Sequence, residues 1–157
     1  MAHGENPQVR LIPIECSGSL SDNSIQLDDL AKGVCAATAF LYEVVGCVPP
    51  WLGYLAVSGD RVVGSCAFKG PPADGKVEIG YFTFPEFENQ DFATSMVREL
   101  VTLAKTAEPR ITVTAQTPPE QNASTRILET LGFLQGRTVV HPDDGDVWVW
   151  ELRPEST

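Results

Sequence analysis

Nowhere does this chain of 157 residues hold the roughly 20 consecutive apolar residues that span a bilayer, and Met1 to Arg10 lacks both a basic leader and an apolar export core. A cytoplasmic protein that stays out of membranes is the expectation. Basic residues are scarce. Eleven Lys and Arg against 21 Asp and Glu give a formal net charge of -10, whereas a protein that neutralises a phosphate backbone needs the opposite balance. Nucleic acid is thereby excluded as a partner; a basic small molecule or cationic peptide suits the charge better, although solubility alone also accounts for it. The four cysteines, Cys16, Cys35, Cys47 and Cys66, are widely spaced with no C-x-x-C pair. They predict buried thiols packing as small hydrophobes, with no metal site and no disulfide framework.

What is present fits one domain, with an ordered core from about 8 to 153. Apolar residues make up 43% of the chain and charged residues 20%, too hydrophobic for disorder. Val9–Ile14 reads as a first strand. After a polar loop, Leu27–Val45 carries apolar residues at three- and four-residue steps, a helix that Gly33 divides or interrupts and Gly46 caps. Trp51–Val57, Arg61–Lys69 and Lys76–Phe84 predict an antiparallel meander, its first turn at Ser58-Gly59-Asp60. A second helix, Ala93–Lys105, shows an apolar stripe of Met96, Val97, Leu100, Val101 and Ala104. Ile111–Thr117 alternates as a strand stopped by Pro118-Pro119, Glu120–Leu131 has helical spacing before Gly132, and the strands Leu134–Val140 and Asp146–Leu152 close the chain. The order implies an α/β (α+β) sheet with helices packed on it.

Two segments narrow this further. The run from Ala115 to Phe133, with Asn122, Ser124, Ile127, Leu128, Glu129, Gly132 and Phe133, resembles the strand-to-helix signature of the GNAT N-acetyltransferases, in their ribosomal-protein N-terminal (Rim-like) branch. Val77 to Phe87 resembles the central strand and exit of the same superfamily. The resemblance covers about Trp51 to Leu152. It implies a mixed, mostly antiparallel seven-stranded sheet with helices on both faces, splayed in the middle to admit acetyl-CoA as co-substrate. The acceptor it implies is a primary amine, on a small molecule or a peptide N-terminus, attacking directly in a ternary complex without a metal. It also admits a homodimer.

Acetyl transfer to an amine needs a site for pyrophosphate, a donor to the thioester carbonyl and a group that takes the ammonium proton. The resemblance assigns backbone groups of Phe82, Thr83 and Phe84, at a bulge, to the pantetheine arm and the thioester carbonyl. It makes Glu78 the general base, for which burial must bring a carboxylate toward neutrality; a solvated surface Glu is the other reading. Asn122 and Ser124 match positions that contact the cofactor, and Asn122 also suits a helix cap. The tyrosine that many relatives use to protonate the departing thiolate is replaced by Leu128.

The pyrophosphate loop departs from the family pattern. Glu88-Asn89-Gln90-Asp91-Phe92-Ala93-Thr94 keeps only the aromatic residue and Ala93. Asn89 and Asp91 stand where glycine is usual, as the side chains that best tolerate positive φ, and Gln90 stands where a basic residue is common. Asp91 either caps the following helix or faces the diphosphate, where one carboxylate against one phosphate charge at about 5 Å costs about 3 kcal/mol. A non-catalytic module of the same fold that has lost tight coenzyme binding, and that binds another ligand or pairs with a subunit, is the alternative to an active enzyme.

Overall fold

The computed structural model describes residues 8–20, 22, 24–88, 90–143 and 145–154. The meander expected from the sequence is preceded by β1 (Arg10–Pro13) and α1 (Asp29–Val45), and comprises β2 (Gly53–Ser58), β3 (Arg61–Phe68) and β4 (Lys76–Thr83). There follow α2 (Phe92–Ala107), β5 (Thr112–Thr117), α3 (Ala123–Thr130), β6 (Leu134–His141) and β7 (Gly145–Leu152). A 3-10 turn at Pro85–Phe87 links β4 to α2 and was not expected; proline at its first position pre-sets the backbone for it.

Gly33 does not divide α1. A side chain there would meet nothing within 4 Å, so this glycine lies on the open side and costs only propensity, about 1 kcal/mol relative to alanine. Asp28 starts the helix by accepting the Ala31 N–H at 2.8 Å, and Gly46 ends it at φ 97°. The Tyr42 hydroxyl donates to the Ile14 carbonyl at 2.7 Å and accepts the Gly53 N–H at 2.7 Å, pinning α1 to the adjoining ends of β1 and β2.

The strands form one sheet in the order β1-β2-β3-β4-β5-β7-β6. Every neighbouring pair is antiparallel except β4 and β5, which run parallel. Helices cover both faces. A Cβ on Gly53 would fall 2.7 Å from Thr38 of α1, and one on Gly64 would fall 3.0 Å from Met96 of α2. The β2–β3 register puts those two glycines on opposite faces. On the α2 side Met96, Val97, Leu100 and Ala104 are fully buried, sharing a core with Leu128, Phe133, Ala115 and Trp150. The Trp150 indole N–H donates to Thr117 Oγ1 at 2.9 Å, so the end of β5 is tied to β7. Among the described residues no helix is long and apolar enough to cross a membrane.

The cysteines divide into two kinds, which corrects the expectation of four thiols. Cys35 and Cys66 are buried and free, and burial pushes both thiols above their ordinary range. Cys16 and Cys47 form a disulfide joining the loop after β1 to the loop after α1, with Cα atoms 5.8 Å apart. Those loops meet because Tyr42 gathers the same three elements, a proximity that sequence spacing does not reveal. Closing a loop of separation 31 should stabilise the fold by about 3–4 kcal/mol through the entropy of the unfolded chain. Dithiothreitol is therefore expected to lower the melting temperature of the wild type and to leave that of the C16S/C47S double variant unchanged; equal melting with and without reductant would contradict the bridge.

Candidate active site

The parallel ladder between β4 and β5 is short. It pairs Lys76 with Thr112 through Ile79 with Ala115 and then stops. Beyond that rung β4 follows β3, with Tyr81 opposite Cys66 and Thr83 opposite Gly64, while Gln116 and Thr117 follow β7. A gap opens in the sheet at Gly80. The β3–β4 register is unbroken from Gly64 to Phe68, so the gap arises where the β4–β5 ladder ends and not from a bulge in β4.

Alternation along β4 decides which backbone groups face the gap. The Lys69 N–H donates to the Glu78 carbonyl at 2.8 Å and the Phe84 N–H to the Val63 carbonyl at 2.9 Å. Even-numbered residues of β4 thus turn their amides to β3, and odd-numbered ones turn toward β5. The next parallel rung would have bonded Tyr81, so its amide, with that of Thr83, is directed into the gap without a ladder partner. This corrects the assignment to Phe82 and Phe84, whose main-chain groups belong to β3. Phe84 is moreover buried, with its ring 5.7 Å from that of Phe82. Gly64 permits this close approach, since a Cβ there would lie 2.4 Å from the Phe82 carbonyl oxygen.

The gap widens on the α2 side into a cleft of about 740 Å³. Tyr81, Phe82 and Thr83 form one wall, Asp91, Phe92, Ala93 and Thr94 the end, and Ser124, Arg126 and Ile127 the other wall. Asp91 has the left-handed conformation, φ 64°, as its place in a glycine position requires, and makes no side-chain cap bond. The capping role considered for it is absent, and among the described residues no side chain caps the first-turn N–H groups of α2, which form an anion-favouring helix end. Glu88 also lines the cleft, and Arg126 is the only cation among the described lining residues. Gln90 turns its amide back toward the Glu86 carbonyl at 3.4 Å. Asn89 lies outside the described residues.

At the start of α3, Asn122 caps the helix. Its side chain accepts the Thr125 N–H at 3.1 Å, and its own N–H donates to Thr125 Oγ1 at 2.9 Å. Ser124 reaches the cleft, where its carbonyl accepts the Tyr81 hydroxyl at 3.4 Å. Burial pushes the Tyr81 phenol up to about 12, so it stays protonated. Tyr81 was not singled out from the sequence; its position next to Phe82 on a strand of alternating faces is the signal that could have found it. Leu128 is fully buried and has no place in the cleft.

Glu78 occupies the opposite face, in a second cavity of about 640 Å³. Its side chain keeps 29% of its surface and its Oε2 lies 3.2 Å from Lys69 Nζ. It is therefore an ion-paired group at a cavity wall and not an isolated buried carboxyl. Lys69, the direct cross-strand partner, was also missed, though hairpin register about the Pro71–Gly75 loop predicts the contact. Gly80 gives the lysine stem its room, because a Cβ there would lie 3.0 Å from Lys69 Cε. Glu78 and the Tyr81 amide are three residues apart on one strand, about 10 Å at the usual rise, so the two cavities flank a single stretch of backbone.

Residues 36–134 match the model of the acetyltransferase (GNAT) domain, and the chain belongs to that family. Solved structures of the same fold include the RimL ribosomal L7/L12 alpha-N-protein acetyltransferase in complex with coenzyme A. It is 14% identical, with TM-score 0.63 over 82% of this chain and 74% of that one. The microcin C7 self-immunity acetyltransferase MccE, in complex with acetyl-CoA and AMP, is 11% identical, with TM-score 0.63 over 78% and 69%. Among proteins of curated function none matches the sequence.

The cleft tests well against an acyl-CoA arm: free strand amides run along one wall and a helix N-terminus closes its end. Among the described lining residues, Asp91 and Glu88 would oppose phosphates at that end. Asp91→Gly removes one negative charge and keeps the left-handed backbone, so acetyl-CoA is expected to bind at least several-fold and up to about a hundredfold tighter by isothermal titration. Unchanged affinity would show that the carboxylate points away from the phosphates.

Proposed function

We propose that the protein transfers the acetyl group of acetyl-CoA to a primary amine by direct attack in a ternary complex. The observation that carries this reading is the end of the β4–β5 ladder, which directs the Tyr81 and Thr83 amides into a cleft closed by the first turn of α2. The thioester supplies an activated acyl carbon. The Tyr81 N–H is placed to donate to its carbonyl oxygen as negative charge develops there, and Thr83 is placed to hold the arm behind it. Ala93 and Thr94 at the helix end, with Arg126 across the cleft, are assigned to the phosphates. Ser124 lines the way between them, while Asn122 acts by capping α3.

The amine enters from the other face. Glu78 accepts its ammonium proton, exchanging the Lys69 ion pair for one with the substrate, and the free amine attacks the thioester carbon. The new N–C bond forms, the C–S bond breaks and the thiolate departs. With Leu128 buried, the Tyr81 phenol is the hydroxyl we assign to protonate that thiolate, and the second proton, lost from the attacking nitrogen as the amide forms, restores the phenol. A small-molecule amine and a peptide N-terminus both remain acceptors compatible with this geometry, and the Rim-like signature at Asn122 to Phe133 favours the latter.

The two carboxylates at the phosphate end, Asp91 and Glu88, favour a second reading in which the fold binds ligand without turnover. Thiol release against a panel of amines separates the two. Transfer predicts release only with both substrates present; no release from any amine, with no detectable heat on titrating acetyl-CoA, would leave the binding module. Within the transfer reading, Glu78→Gln is expected to lower kcat by about 10²–10⁴-fold while sparing acetyl-CoA affinity. Full turnover in that variant at every pH would remove Glu78 from the mechanism. Tyr81→Phe should lower kcat without weakening acetyl-CoA binding, a split that loss of packing alone would not produce.

A further inference from the structure

The cavity that holds Glu78 carries the opposite charge from the chain around it. Four of the 11 Lys and Arg residues line it, Lys69, Lys76, Arg137 and Arg153, against only Glu78 and Glu151 of the 21 Asp and Glu. Both carboxylates are already occupied. Glu78 pairs with Lys69 at 3.2 Å, and Glu151 is shared between Lys76 at 3.0 Å and Arg153 at 3.2 Å. The Lys76 hydrogen bond, reinforced by Arg153, holds the Glu151 carboxyl below its ordinary range, so it stays charged and committed to those partners. Arg137 has no ion-pair partner among the described residues.

The backbone places Arg137 deliberately. The β6–β7 register shifts between Gln135 and Thr138, so Gly136 and Arg137 together oppose Val149 in a bulge of one extra residue. A bulge re-aims a side chain that a regular strand would turn elsewhere. Gly136 fits close against β7, where a Cβ would lie 3.0 Å from the Val149 carbonyl oxygen. An unpaired guanidinium on a bulge, in a cavity with two cations in excess, is a fork for an oxyanion. The negative charge on the rest of the surface is screened beyond about 8–10 Å at physiological ionic strength, so the groups lining the cavity govern what docks there.

We infer that the acceptor amine carries an anionic group, a carboxylate or a phosphate, which Arg137 binds while the amine faces Glu78. The inference rests on the transferase reading for the role of the amine, and on the cavity alone for the anion. It reverses the preference for cationic partners that net charge suggests.

The test uses probes paired to differ in charge: β-alanine against β-alaninamide, and phosphoethanolamine against ethanolamine. Each is titrated into the full chain while the Gly136 and Arg137 amide signals are followed by NMR, and each is then assayed for thiol release with acetyl-CoA. The anionic member of at least one pair is expected to bind about tenfold tighter than its neutral-group counterpart, and the pair that responds identifies carboxylate or phosphate. Arg137→Ala should erase the difference and leave acetyl-CoA affinity intact. Equal binding within both pairs, or a preference that survives Arg137→Ala, overturns the inference. Anion-selective binding with acetyl-CoA bound but no thiol released from any amine would count against the transferase reading and leave the selectivity of the cavity standing.

Discussion

The parallel pairing of β4 with β5 extends to Ile79 and Ala115 and no further, and the site depends on where it ends. One more rung would bond the Tyr81 amide to β5 and close the gap. The two strands part because each has a stronger neighbour on its other side. Beyond Gly80, β4 continues its ladder with β3, where Gly64 allows close approach, and β5 continues with β7, where the Trp150–Thr117 hydrogen bond secures its end. Pro118 and Pro119 then remove two donors and turn the chain toward α3. Two half-sheets result, joined over four residue pairs and covered by one buried core.

Charge is distributed between the faces in a way that the total conceals. At the helix end of the α2-side cleft, Asp91 and Glu88 face one arginine, whereas the cavity on the opposite face gathers cations around two committed carboxylates. A coenzyme bearing phosphates must therefore rely on helix-end amides more than on side-chain charge. Asp91 sits where a left-handed residue is needed to lead into α2, and the aspartate tolerates that conformation at the expense of a negative charge beside the helix end. Loop shape is retained and electrostatics are conceded.

Much of the fold was legible because its signals are local. Apolar steps of three and four residues marked all three helices, alternation marked the strands, and glycine at 46 and 132 marked helix ends. The positive φ of Asp91 and the cap at Asn122 were likewise within reach of single-residue preferences. What escaped depends on contacts between distant segments. The Cys16–Cys47 bridge needs α1 folded back by Tyr42, and the Lys69–Glu78 pair needs the hairpin register. The choice of Tyr81 over Phe82 as the residue whose amide faces the gap turns on a one-residue phase of the β3 ladder, which composition and periodicity do not carry. The bulge that aims Arg137 is invisible for the same reason.

The central claim is that the Tyr81 and Thr83 amides stand free in the gap until an acyl-CoA arm pairs with them. Amide hydrogen exchange read residue by residue tests it most directly. In the free protein these two amides should exchange far faster than those of Val77 and Ile79 on the same strand, and saturating acetyl-CoA should slow both. Protection already present without the coenzyme, or exchange that acetyl-CoA leaves unchanged while it binds, would contradict the account.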